Sequence, residues 1–227
     1  MAAERSARLD WPQVLGDAPA GMPEASVWVP DPGTGRKWKQ LSAINISYIA
    51  DEVGRVMRKY DETDPFRLAK AMKIIVSYEP MGLYDGCCKG FFIVHRRTKH
   101  ITINSDLPEE LQRVVLAHEI GHCVLHNSAG AMAAFHEMVL FDTVDFREYE
   151  ANIFASELLL SDEDVLEALN DDLFFFQAAS VLCVPAEMLD FKFRVMKRKG
   201  YKLESPIVSH GDFMKNIERG WPASGEP

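Results

Sequence analysis

Cysteine is scarce in this chain and forms no pattern. Four occur in 227 residues: Cys87 and Cys88 adjoin, Cys123 and Cys183 stand alone, and there is no CxxC pair. That gives neither a zinc ribbon nor a disulfide framework, and the thiols are expected to be reduced in a cytoplasmic protein. Basic charge is in deficit, with 25 Lys and Arg against 34 Asp and Glu and a net charge of −9. Phosphate contacts need clustered cations, so direct nucleic-acid binding is not expected. Long apolar runs are missing as well. The longest, Leu173 to Val184, is broken by Gln177 and is too short to span a bilayer. The first residues carry Glu4 and Arg5 and no apolar segment, so no secretory signal is read and no membrane partner is expected.

Apolar residues are plentiful, at 47%, ample for the core of one domain. Residues 1–40 are rich in Pro, Gly and Ala, with Trp11, Trp28 and Trp38, and read as an irregular N-terminal arm. Residues 41–205 read as the main domain and 206–227 as a C-terminal tail. Within the domain, Ile46, Ile49, Val53 and Val56-Met57 mark one side of a helix over 44–60. Asp64-Pro65 starts a second helix. Residues 73–78 read as a strand, and 91–95 with 100–104 as a hairpin around Arg96-Arg97-Thr98-Lys99. Later helices are expected from Ser161, which caps Asp162-Glu163-Asp164, and over 174–182 and 185–199. Residues 128–144 are apolar but give no clear element. The basic run Lys192, Arg194, Lys197, Arg198, Lys199 and Lys202 reads as a solvated helix end meeting the helix dipole.

One segment names a chemistry. Residues 118–122 read His118-Glu119-Ile120-Gly121-His122, a HExxH pentapeptide. On a helix the two His lie about 40° apart around the axis, so both imidazoles reach one metal ion. A Glu one residue after the first His can then reach the metal's water. Ser105 or Asp106, then Pro108, Glu109 and Glu110, provide a helix start. Leu111, Val114, Val115, His118, His122 and Leu125 follow at offsets of three and four, which places the His pair on the buried stripe. Gly121 permits close approach of another backbone.

A metal site of this kind needs one more protein ligand. Glu148 heads a second apolar helix, on the face shared by Ala151, Asn152, Ala155, Leu158 and Leu159, where a carboxylate directed inward would need a cation. Glu150 lies about 200° around the axis from Glu148 and is the alternative. Asn152, one turn on, is placed to bond a ligand His. His126, about 80° from His118, is a further alternative ligand, although a structural or cleft-lining role suits it better. Tyr149, His136, Tyr84 and His95 are all possible donors to an oxyanion, and the sequence does not choose among them.

Two strings, Leu116-Ala117-His118-Glu119-Ile120-Gly121-His122-Cys123-Val124-Leu125-His126 and Glu148-Tyr149-Glu150-Ala151-Asn152-Ile153-Phe154-Ala155-Ser156-Glu157-Leu158-Leu159, resemble the ImmA/IrrE-type zinc metallopeptidases of bacteria and their mobile elements. The resemblance spans roughly residues 44 to 200. It implies an α+β, mainly helical zincin-like domain with a small antiparallel sheet beside the HExxH helix. It further implies zinc on His118, His122 and Glu148, with Glu119 as general base. Its members are thought to cleave or otherwise inactivate helix-turn-helix repressors, so the expected partner is a protein substrate of that kind. One departure is Leu160-Ser161, where the family often has a proline after the paired leucines. The rival expectation is a zinc-containing binding protein that sequesters its repressor without cutting it.

Overall fold

The computed structural model describes residues 28–30, 38–40, 45–84, 86–126, 146–170 and 173–207. The chain divides into two units, Met1–Ile44 and Asn45–Pro227. In the first, within the segment expected to be irregular, strand β1 (Trp28–Pro30) pairs antiparallel with β2 (Trp38–Gln40), Val29 opposite Lys39.

The second unit is α+β and mainly helical among its described residues, with helices α1 to α7 and a three-stranded sheet. Helix α1 (Ile46–Tyr60) begins where the Asn45 side chain accepts from the Tyr48 N–H at 3.0 Å. It buries Ile46, Ile49, Val53 and Val56, the side expected from their spacing, while Met57 is half-buried. Helix α2 (Pro65–Ala71) has Pro65 in its first turn, and the Asp64 side chain accepts from the Arg67 N–H at 2.9 Å.

The sheet has the order β3-β5-β4, with β3 at Ile75–Glu79, β4 at Gly90–His95 and β5 at Thr98–Asn104. The expected hairpin is present, with Phe92 opposite Ile101. The sheet is mixed, however, not purely antiparallel: β3 runs parallel to β5, with Val76 opposite Ile101. The chain leaves β3 at one edge, crosses to β4 at the other and turns back into the middle, so the hairpin's second strand has neighbours of both senses. Buried Asn104 secures this crossing. Its Nδ2 donates to the Gly82 and Cys88 carbonyls at 2.8 and 3.1 Å, and its Oδ1 accepts from the Met81 N–H at 3.0 Å.

Helix α3 (Glu109–Leu125) follows β5. Its cap is Pro108, without a side-chain bond, and not Ser105 or Asp106. Asp106 is used elsewhere, its carboxylate accepting from the Gly82 N–H at 2.7 Å, while Glu109 and Glu110 supply the first-turn negative charge. Instead of one buried stripe, every residue from Val114 to Gly121 is buried, because the sheet, α2 and α4 (Phe146–Leu159) surround this helix. Helix α4 is likewise buried throughout Ala151–Ser156, between α1, α3 and α7 (Ala186–Arg198). Helices α5 (Asp162–Asn170) and α6 (Phe175–Val181) complete the unit, and Ser161 Oγ accepts from the Asp164 N–H at 2.9 Å, as expected.

The basic run of α7 is only partly a solvated end. Lys192 is 1% exposed and bonds Glu157 and Asp162, each at 2.6 Å. Lys199 bonds the same two acids at 2.7 and 2.9 Å, so the cations clamp α7 to α4 and α5. Among the described residues no helix is long and apolar enough to cross a membrane.

Candidate metal centre

Helices α3 and α4 approach closely because Gly121 has no side chain. A Cβ there would lie 3.2 Å from both Cα and the carbonyl oxygen of Ala151, and 3.2 Å from the Phe154 Cβ. This close approach, anticipated from Gly121, brings the first turn of α4 over the two histidines of α3. His118 Nε2 is 3.0 Å from His122 Nε2 and 3.1 Å from Glu148 Oε2, and His122 Nε2 is 3.2 Å from Glu148 Oε1. Donor atoms of these three residues all lie within 4.8 Å of one another. A tetrahedral ion with bonds of about 2.0–2.1 Å would want its ligand atoms about 3.3 Å apart. The edges found here are close to that.

The surrounding hydrogen bonds explain why a cation is wanted. His118 Nδ1 is 2.8 Å from the Asn152 Oδ1, the bond anticipated for Asn152. An amide oxygen only accepts, so Nδ1 carries the hydrogen and Nε2 presents a lone pair. Two imidazole nitrogens and a carboxylate thus converge, and a proton or a metal ion must stand between them. In the absence of metal a proton takes this role. Burial pulls the His118 pKa down, but the Glu148 carboxylate, with Glu119 and Asn152, outweighs it and holds the pKa at about 9. Burial would raise the Glu148 carboxyl, yet bonds from His118 and His122 hold it well below the usual carboxylate range. His122 moves the opposite way to His118: burial, then the charges of His118 and His126, depress it against the pull of Glu148.

Glu119, buried at 6% exposure, lies one residue beyond His118. Beside it the structure reveals a residue that the sequence reading missed. A Cβ on Gly90 would sit 2.6 Å from Val115 Cγ1 and 3.8 Å from Glu119 Cγ, so the missing side chain lets β4 lie against this turn of α3. A glycine opening a strand was the available signal. Glu150, the alternative to Glu148, is not at the triad; it bonds His126 Nε2 at 2.9 Å. Tyr149 meets Phe191 edge-on, with ring centroids 5.3 Å apart, and lies under the Arg194 guanidinium, so it is engaged with α7. Tyr84 and His95 are exposed, and His136, with residues 128–144, lies outside the described residues.

Two imidazoles and a carboxylate on adjoining helices could hold a metal ion, with a further buried carboxylate one residue from the first imidazole, as the site of a metallopeptidase requires. Comparison with known proteins agrees. The peptidase M78 family model, described as the IrrE N-terminal-like domain, matches residues 69–194, and the chain belongs to that family. It is 37% identical over 140 residues to the uncharacterized immunity region protein 2 of Bacillus phage phi105, covering 62% of this chain and 85% of that protein. It is 28% identical over 147 residues to the metallopeptidase ImmA of Bacillus subtilis (strain 168), covering 63% and 83%.

Proposed function

We propose that this chain is a zinc-dependent metalloendopeptidase of the cytoplasm that cuts a protein partner, a helix-turn-helix repressor, and so relieves repression. The observation that carries the reading is the convergence of His118 Nε2, His122 Nε2 and the Glu148 carboxylate. Two nitrogens and one carboxylate suit zinc and leave a position open for water. The repressor is supported by the family resemblance and by the phage immunity region named for one relative.

When bound, zinc would lower the pKa of water towards about 7 and polarise the scissile carbonyl. Glu119 takes the proton of the attacking water on a carboxylate oxygen and passes it to the leaving amine. Asn152 holds the His118 ring with Nε2 turned to the site. Among the described residues β4 pairs with a strand on one side only, and Gly90 sets its start beside Glu119. An extended peptide adding to that edge would be presented to the general base.

The test is to incubate the zinc-loaded chain with purified helix-turn-helix repressors and follow products by mass spectrometry. Peptide products from the wild type, with at least a hundred-fold loss in Glu119→Gln at undiminished zinc content, are the expected outcome. Release of a repressor from DNA with no cleavage would replace proteolysis by sequestration. Normal cleavage by Glu119→Gln would remove Glu119 as the base.

A further inference from the structure

His126 and Glu150 stand outside the triad but touch it. His126 lies one turn beyond His122, its Nδ1 is 3.1 Å from His122 Nδ1, and the two rings are tilted by 53° with centroids 5.2 Å apart. Its other nitrogen, Nε2, is 2.9 Å from Glu150 Oε2. Both nitrogens of His126 are therefore committed away from the point where His118, His122 and Glu148 meet, and the Glu150 carboxylate is on His126. Neither residue is placed as the third ligand.

Only one arrangement of hydrogens satisfies this chain of contacts while leaving His122 able to bind metal. His122 Nε2 faces His118 Nε2 and Glu148, so its lone pair must be free and its hydrogen must sit on Nδ1. That Nδ1–H donates to His126 Nδ1, which must then be the bare nitrogen of its ring. The hydrogen of His126 accordingly sits on Nε2 and donates to Glu150. We propose that His126 and Glu150 act in series as positioning residues, fixing the tautomer and orientation of the His122 ring so that Nε2 points at the metal. This rests on the metal-binding reading above. It also gives the Glu-Tyr-Glu sequence of α4 a division of labour. Glu148 binds the ion directly, and Glu150, about 200° further around the helix, reaches behind the second ligand through His126.

Zinc affinity, measured by competition with a chromogenic chelator, tests this without reference to catalysis, alongside the visible absorption of the cobalt-substituted protein. Outer partners of ligand histidines typically affect metal affinity by 10- to 100-fold. Because His122 is reachable by water, at 17% side-chain exposure, His126→Ala should weaken zinc binding by about ten-fold and shift the cobalt spectrum. Glu150→Gln should weaken it less, and the double variant should match His126→Ala alone, as links in series require. His126→Asn, whose amide oxygen can stand where Nδ1 stands, should restore much of the affinity and make Glu150→Gln silent. Unchanged zinc affinity and cobalt spectrum in His126→Ala, beside a tight-binding wild type, would overturn the proposal alone. So would near-total metal loss in Glu150→Gln with His126→Ala unaffected, which would make Glu150 a ligand. A wild type that takes up no zinc would overturn the metal-binding reading together with it. Melting of each metal-free variant separates these outcomes from simple unfolding, and His126→Asn keeps the test open if the alanine variant does not fold.

Discussion

His118 and His122 present the same nitrogen to the same carboxylate, yet the two sides of the candidate metal centre are built differently. The His118 side is closed: the ring is 3% exposed and rests directly on Asn152, itself fully buried. The His122 side is more open, at 17%, and its support runs through His126 to the partly exposed Glu150. The rings also ionise in opposite directions: burial lowers both, but Glu148, Glu119 and Asn152 carry His118 up to about 9, while the charges of His118 and His126 add to burial and hold His122 down. Both rings meet Glu148, at 3.1 and 3.2 Å, but one is backed directly by a buried amide and the other by a chain of two side chains that water can reach. A two-histidine spacing on a helix makes the two rings equivalent in sequence; their surroundings make them unequal.

The largest expected effect removes what the two sides share. Glu148→Ala should reduce zinc from near one per chain to near none by elemental analysis, and zinc retained at full content would hand its role to another acid. Asn152→Ala should come next, weakening zinc binding towards the upper end of the 10- to 100-fold range. It should exceed His126→Ala, since nothing replaces a bond in a site closed to water. Equal losses in a chelator competition would dissolve the contrast between the two sides.

The third expectation concerns pH in the metal-free protein. His118 binds its proton more tightly folded than unfolded, so its stabilising contribution is complete below its ordinary value of 6.5 and is lost as pH rises towards about 9. His122 binds its proton less tightly when folded, so it costs stability as pH falls below 6.5. Glu148, with its lowered pKa, loses its contribution as pH falls below 4.5. The melting temperature of this unit should therefore decline on both sides of about pH 6.5, and Glu148→Ala should flatten the alkaline decline. An alkaline limb unchanged in that variant would separate His118 from Glu148. The smallest effect is that of Gly121→Ala. Helix propensity favours alanine by about 1 kcal/mol, but crowding against the Ala151 backbone costs about 1–3 kcal/mol. A net loss of about 1 kcal/mol in denaturant unfolding is expected, with weakened zinc binding as α4 is pushed from α3.

Much of this was legible in the chain and some was not, for reasons that particular residues show. Helix α1 has one wet side, so Ile46, Ile49, Val53 and Val56 keep a clean helical period and its face was readable. Helices α3 and α4 are buried around nearly their whole circumference, so the stripe drawn from Leu111 to Leu125 described only part of what is covered. Spacing made His118 and His122 candidates, since helix geometry converts four residues into one turn, and Glu148 became one through its place at the head of a small apolar helix face. The parallel partner of β5 had no local sign, because β3 and β5 are separated in the chain by the crossing and all of β4, and their pairing is chosen by the sheet and not by either strand. Lys192 read as solvent-facing because nothing near it in sequence shows that Glu157 and Asp162 would enclose it.

By itself, then, the sequence determined which residues lie within a turn of one another: the histidine pair, the carboxylate beside it, the glycine between them and the caps of α2 and α5. These depend on local backbone geometry, which is the same wherever a helix forms. Only the tertiary structure decided that Gly121 meets Ala151, that Glu148 faces the histidines while Glu150 turns to His126, and that Gly90 sets a strand beside Glu119. Those contacts join segments far apart in the chain. They are selected by how buried helices and a sheet pack together, which no single segment specifies.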